Sequence, residues 1–146
     1  MRREAFLESA IDCKSIAYNT AVLETGVDIV EIQRVAELAQ RYGERFGQRV
    51  FGPEEWQTFR GRPHSLAARF AAKEAVIKAL GSPNMALHEI RVVRVPGARP
   101  EVELVGRAHQ RAEELGVRRV ALSISHSHEY AVAVAVLERG PGVDRS

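Results

Sequence analysis

Residues 69–81, Arg-Phe-Ala-Ala-Lys-Glu-Ala-Val-Ile-Lys-Ala-Leu-Gly, read as a helix that is apolar on nearly every side yet carries Lys73, Glu74 and Lys78. Glu74 and Lys78, four apart, share a face with Phe70. Charges on such a helix are costly to bury unless they are paired, metal-bound or met by a ligand. Upstream, Asp28 closes an apolar run beside Gly26, just ahead of a second helical pattern. One strand-borne and one helix-borne carboxylate are the sparse protein contribution expected at a Mg2+ site, where water and substrate phosphates fill the remaining positions. Such an ion bridges phosphate oxygens and offsets charge developing on transfer. Lys78 could reach the same phosphates. Plainer roles stay open for each residue. Asp28 could cap the following helix or end its strand, and Glu74–Lys78 could be an i,i+4 ion pair worth only about 0.3–0.5 kcal/mol. Lys73 points roughly 100° away from Glu74, toward another part of a ligand or toward solvent.

Arg69, one turn before Lys73, could contact an anion or form a salt bridge at the edge of the core; Arg62 and His64 in the preceding loop are weaker candidates. Further on, Ser123-Ile-Ser-His126-Ser-His128-Glu-Tyr130 follows a strand in which Leu122 and Ile124 point inward, leaving Ser123 and Ser125 on the other face. His126 falls where that strand gives way to a turn, a place suited to gripping a ligand. Tyr130 reads as a core or interface aromatic. Several chemistries are poorly supported. There is no Gly-x-Ser-x-Gly elbow for hydrolysis, and neither a Walker lysine loop nor a Gly-x-Gly-x-x-Gly turn. Phosphates would therefore have to be held by an ion and side chains rather than by a glycine cradle.

The elements that must position these groups follow from periodicity and punctuation. Residues 21–30 read as a strand. Ile32, Val35, Ala36, Leu38 and Ala39 then recur at helical spacing, with Arg34 and Arg41 on the opposite face and Gly43 at the end. Val50-Phe51-Gly52-Pro53-Glu54-Glu55 predicts a short extended piece entering a helix, with Pro53 near the first turn. Ser65 is a plausible cap for the central helix, and Gly81-Ser-Pro-Asn84 breaks it. Residues 90–95 and 102–105 predict a hairpin around Pro96–Pro100. Residues 107–115 predict a helix stopped by Gly116, and strands at 120–125 and 130–137 close the domain. This order predicts an α+β fold, an antiparallel-rich sheet packed against a long central helix, rather than regular βαβ winding. Residues 1–20 are expected to be a peripheral extension, 21–138 the domain and 139–146 a tail.

At 146 residues the chain has room for one domain with a sizeable core. Its formal charge of +2 and low aromatic content argue against nucleic acid as a partner, though a local basic patch for phosphates or an acidic protein remains open. The first eight residues carry charges where a secretory signal needs an apolar stretch, and no run is apolar for long enough to span a membrane. With one cysteine, Cys13, a cytoplasmic setting is expected.

These blocks together resemble the holo-(acyl-carrier-protein) synthase family, the small trimeric class of 4′-phosphopantetheinyl transferases. Gly26-Val-Asp28-Ile-Val-Glu31 resembles the family's amino-terminal signature, and Arg69 through Ala79 its central helix motif. Val50-Phe51-Gly-Pro-Glu54 and Ser123-Ile-Ser125-His126 through Tyr130-Ala are similar to two further blocks. The resemblance covers residues 21–138 in the family's order. Val30 stands where the larger, two-fold pseudo-symmetric transferases place an acidic residue, in keeping with the small class.

The resemblance implies transfer of 4′-phosphopantetheine from coenzyme A to a serine of apo acyl carrier protein, with release of 3′,5′-ADP. Asp28 and Glu74 would be the Mg2+ ligands and Lys78 the group that neutralises the phosphoryl under attack or aids the departing nucleotide. His126 would border the coenzyme A pocket, with Arg69 and Lys73 as weaker phosphate contacts. Glu74, Glu54 or an ordered water would take the serine proton. Arg34 and Arg41 would dock the acidic carrier protein. The resemblance also implies a homotrimer whose active sites lie between subunits. Two other readings use the same residues: a coenzyme A- or carrier-binding module without transfer activity, and a Mg2+-dependent pyrophosphate hydrolase.

Overall fold

The computed structural model describes residues 21–140. The expected arm at 1–20, Cys13 with it, lies outside the described residues, as do residues 141–146 of the expected tail at 139–146, whose first residue, Arg139, still belongs to the last strand. Strand β1 (Val22–Glu31) is followed by helices α1 (Ile32–Tyr42), α2 (Glu44–Val50), α3 (Pro53–Phe59) and the long α4 (Pro63–Leu80). A single 3-10 turn at Leu87–Glu89 leads into the hairpin β2 (Ile90–Val93) and β3 (Glu101–Leu104). Helix α5 (Gly106–Leu115) and the hairpin β4 (Val117–His126) and β5 (Tyr130–Arg139) complete the chain.

The strands form two antiparallel sheets, one ordered β1-β5-β4 and the other β2-β3. The larger sheet lays one face on α4. Along β1, Gly26, Asp28 and Val30 turn inward while Val27 and Ile29 turn out, the period-2 alternation of a sheet covered on one side. On β5 the inward set is Ala131, Ala133, Ala135 and Leu137, all buried. Leu122 and Ile124 of β4 also turn inward, as their spacing predicts.

Helix α4 has ten buried residues spread around its circumference, as expected of a helix enclosed by other elements. Leu66, Val76 and Leu80 are fully buried and each contributes about 1.5–3 kcal/mol of apolar transfer. Beyond its first turns, from Arg69 onward, what remains open is one strip, Phe70, Glu74, Ile77 and Lys78. The helix stops at Gly81, whose φ of 68° lets its N–H reach the carbonyls of Ile77 and Lys78.

Two local expectations are corrected. Val50 and Phe51 are not extended: Val50 ends α2 and Phe51 keeps helical dihedrals. Tertiary packing outweighs the extended pattern here, because Phe46 and Val50 sit one turn apart and build a buried aromatic cluster with Phe51 and Trp56. The Trp56 indole N–H donates to Glu44 Oε1 at 3.0 Å, tying α2 to α3. Ser65 does not cap α4; Arg62 holds the N-cap position and Pro63 begins the helix, where its fixed φ and missing N–H cost nothing.

Candidate functional site

Asp28 stands within β1, with three strand residues after it, so it neither ends the strand nor caps α1; the cap position is Glu31. Its side chain turns toward α4 and is mostly covered. There Lys78 Nζ lies 3.1 Å from Asp28 Oδ1 and donates to the Val27 carbonyl at 2.9 Å. Glu74, one turn earlier on α4, is half-buried, and its carboxyl is pushed above the ordinary carboxylate range. Desolvation is the main cause and the charge of Asp28 the next, with Lys78 partly opposing both. The two carboxylates and the lysine thus share one electrostatic environment, although they come from sequence positions 28, 74 and 78.

Among the described residues no group of three or more His, Cys, Asp or Glu gathers to hold a metal. Two carboxylates suit a hard cation that keeps most of its positions for water and phosphate. Glu74 feels the charge of Asp28 with Lys78 partly opposing it, and a divalent ion would offset the charge of both carboxylates. The donor chemistry therefore fits Mg2+.

Lys73 does not join this group. Its side chain is fully buried, with Nζ 3.1 Å from Glu55 Oε2, 3.2 Å from Glu55 Oε1, and donating to the Ile90 carbonyl. Burial pulls its pKa down and Glu55 opposes the fall. It can meet neither a ligand nor solvent; it is an internal cation that pins α4 to α3 and β2. Glu55 completes the tie by accepting from the Val92 N–H at 3.0 Å. Arg69 has a double character. It donates to the Val92 carbonyl, lies 3.9 Å from Glu55 Oε2 and stacks 3.8 Å above the Phe59 ring, yet it also lines a cleft.

That cleft, about 560 Å³, lies between the start of α4, the β2–β3 hairpin and β4. Arg69, Arg94, Arg99, His64 and His126 give it a basic lining, and Phe59 and Leu122 supply apolar wall. The His64 and His126 rings meet edge to face at 5.8 Å. Arg94 and Arg99 were not singled out from sequence; the signal for them is one arginine just before the Pro96–Pro100 turn and one within it. Neither Asp28 nor Glu74 lines the cleft. Glu54 is exposed on the first turn of α3, and the charges felt by Glu74 are those of Asp28 and Lys78.

Two surfaces complete the picture. Arg34 and Arg41 are exposed on α1, and Arg45 and Arg49, which the sequence reading passed over, are exposed on α2. The outer face of the large sheet is apolar: Val27 is 57% and Ile29 65% exposed, beside Val134 and Tyr130. No helix among the described residues is long and apolar enough to cross a membrane.

The model of the 4′-phosphopantetheinyl transferase superfamily (ACPS) matches residues 24–135. A holo-[acyl-carrier-protein] synthase of Dehalococcoides mccartyi is 46% identical over 118 residues, covering 80% of this chain and 99% of its own. The crystal structure of the Neisseria meningitidis holo-[acyl-carrier-protein] synthase superposes with a TM-score of 0.72 at 32% identity, covering 80% of this chain and 98% of the other. The Helicobacter pylori synthase, solved in complex with coenzyme A, gives 0.69 at 28% identity, covering 77% and 98%.

Proposed function

The chain belongs to the holo-(acyl-carrier-protein) synthase family of 4′-phosphopantetheinyl transferases and transfers phosphopantetheine from coenzyme A to apo acyl carrier protein; we propose that Asp28 and Glu74 hold the Mg2+ ion this transfer uses. The observation that carries the proposal is the convergence of Asp28, Glu74 and Lys78 from a strand and a helix. When bound, the ion would draw the diphosphate oxygens together and offset their charge.

The chain's own residues do the rest. The carrier serine oxygen forms a bond to the phosphorus that bears pantetheine, the P–O bond to the nucleotide breaks, and 3′,5′-ADP leaves with the electron pair. Lys78, whose side chain is half-exposed, would move from Asp28 to the phosphoryl oxygens and stabilise charge there. The serine proton goes to a carboxylate or an ordered water. Of the two carboxylates considered, Glu74 lies at the acidic pair, whereas Glu54 is on the first turn of α3.

The basic cleft suits the nucleotide end of coenzyme A: guanidinium groups of Arg69, Arg94 and Arg99 and the His126 ring for phosphate, Phe59 and Leu122 for the base. Because the acidic pair does not line the cleft of its own chain, one coenzyme A molecule is best served by two chains. A homotrimer that buries the apolar outer face of the sheet, with active sites between subunits, supplies that arrangement. The exposed arginines of α1 face outward to steer an acidic carrier protein.

Intact-mass measurement of apo carrier protein incubated with coenzyme A tests this. The expected result is a gain of one phosphopantetheine that requires Mg2+ and disappears in Asp28→Ala and Glu74→Ala. Full-rate labelling by both variants would exclude the metal site. Binding without labelling of any carrier would favour the non-catalytic module, and coenzyme A breakdown without carrier the hydrolase.

A further inference from the structure

We propose that Gly26 is a positioning residue: its lack of a side chain lets α4 settle onto β1, and that close approach brings Asp28 within reach of Glu74 and Lys78. It rests on the metal site proposed above. Gly26 and Asp28 lie two apart on β1 and both turn inward. A Cβ built at Gly26 would lie 2.8 Å from the Ala79 amide nitrogen and overlap the Ala75 carbonyl oxygen. Both are backbone atoms that no rotamer change can move. Gly26 does not have positive φ, so the requirement is space and not an unusual conformation.

The helical turn that sits on Gly26 is the one that carries the chemistry. Ala75 and Ala79 bracket the glycine, and Glu74 and Lys78 each precede one of them. The neighbouring strand continues the flat seat, with Ala135 opposite Gly26 and Ala133 opposite Asp28, both buried. An aspartate has a short side chain, and Mg2+ tolerates little departure from oxygen distances of roughly 2.0–2.1 Å. Lifting α4 by roughly 1 Å to admit a methyl group would leave one carboxylate out of reach. A misplacement of that size is sufficient to slow catalysis about 100-fold.

The test titrates Mn2+ in the presence of coenzyme A, with steady-state kinetics alongside. Wild type should bind Mn2+ and Asp28→Ala should not; if Asp28→Ala binds as wild type does, the parent metal site fails. With that established, Gly26→Ala should lose Mn2+ affinity at least about tenfold and kcat about 100-fold, with KM for the carrier unchanged. Leu137→Ala, a cavity control elsewhere on the sheet, should lose stability and keep its Mn2+ affinity. Gly26→Ala/Asp28→Glu should recover binding, since the longer carboxylate spans the widened gap, while Asp28→Glu alone should bind more weakly than wild type. Gly26→Ala binding Mn2+ as tightly as wild type would overturn the proposal. Should Gly26→Ala fail to fold, undiminished Mn2+ affinity in Asp28→Glu alone would overturn it equally.

Discussion

Lys78 and Asp28 form a contact of 3.1 Å between the exposed face of α4 and the inward face of β1, so the strand-borne carboxylate of the acidic pair already has a cation beside it. An ion entering the site must compete with that ammonium, and an incoming diphosphate would draw it away. Replacing Lys78 by methionine should therefore raise Mn2+ affinity in the absence of coenzyme A. It should also lower kcat by about 100-fold, the usual loss when a group stabilising transition-state charge is removed. Mn2+ titration with and without coenzyme A, beside steady-state rates, checks both halves. Unchanged metal affinity would show that the contact does not guard the site.

Glu74 should make the metal-free protein more stable in mild acid. Its carboxyl binds a proton more tightly folded than unfolded, because burial and Asp28 disfavour the charged form. The destabilisation is full above the raised folded value, shrinks as pH falls through it, and is gone below the ordinary unfolded value. Glu74→Gln should remove this pH dependence and raise the melting temperature at neutral pH. Thermal unfolding of both proteins across mildly acidic to neutral pH, with chelator present, reads the effect.

Lys73 should behave as a structural cation. Lys73→Met leaves Glu55 buried with only the more distant Arg69, at 3.9 Å, as a charged partner and should cost up to about 3–5 kcal/mol, whereas Glu55→Gln/Lys73→Met should recover much of the loss. Denaturant unfolding of the two variants against wild type measures the difference. An equal loss in both would show that packing, not charge pairing, is what Lys73 provides.

The difference between Lys73 and Lys78 shows what was legible in the sequence. Glu74 and Lys78 stood out because the face they share follows from helical spacing alone, and Asp28 because a carboxylate beside a glycine on an apolar strand is unusual. The partners of Lys73 are Glu55, on another helix, and a carbonyl of a strand that comes later in the chain. Nothing local announces that pairing, so a buried structural lysine read as a ligand contact. Arg94 and Arg99 were passed over for the same reason: they become cleft residues only when the hairpin folds beside β4. Strand and helix order was legible because turns and periods are local. Helix α2 was not, because its apolar residues are fixed by Trp56 across a turn.

Arg34→Glu/Arg41→Glu should raise KM for carrier protein about tenfold or more and leave kcat and KM for coenzyme A unchanged, since exposed rim charges govern encounter. The wild-type kcat/KM for carrier should fall with added salt and that of the variant should not. Steady-state kinetics at two ionic strengths tests this.

Val134 faces outward on β5 opposite Val27 of β1. Val134→Lys places a charge at the centre of the apolar sheet face and should yield monomers that have lost labelling activity while retaining their fold. Light scattering during size-exclusion chromatography gives the assembly state. Active monomers would refute the shared site.

The most direct measurement is an anomalous-diffraction map from crystals grown with Mn2+ and coenzyme A. The expected map shows one Mn2+ per site, with an oxygen of Asp28 and an oxygen of Glu74 each within roughly 2.2 Å and diphosphate oxygens in the remaining positions. An ordered diphosphate whose ion touches neither carboxylate would contradict the account.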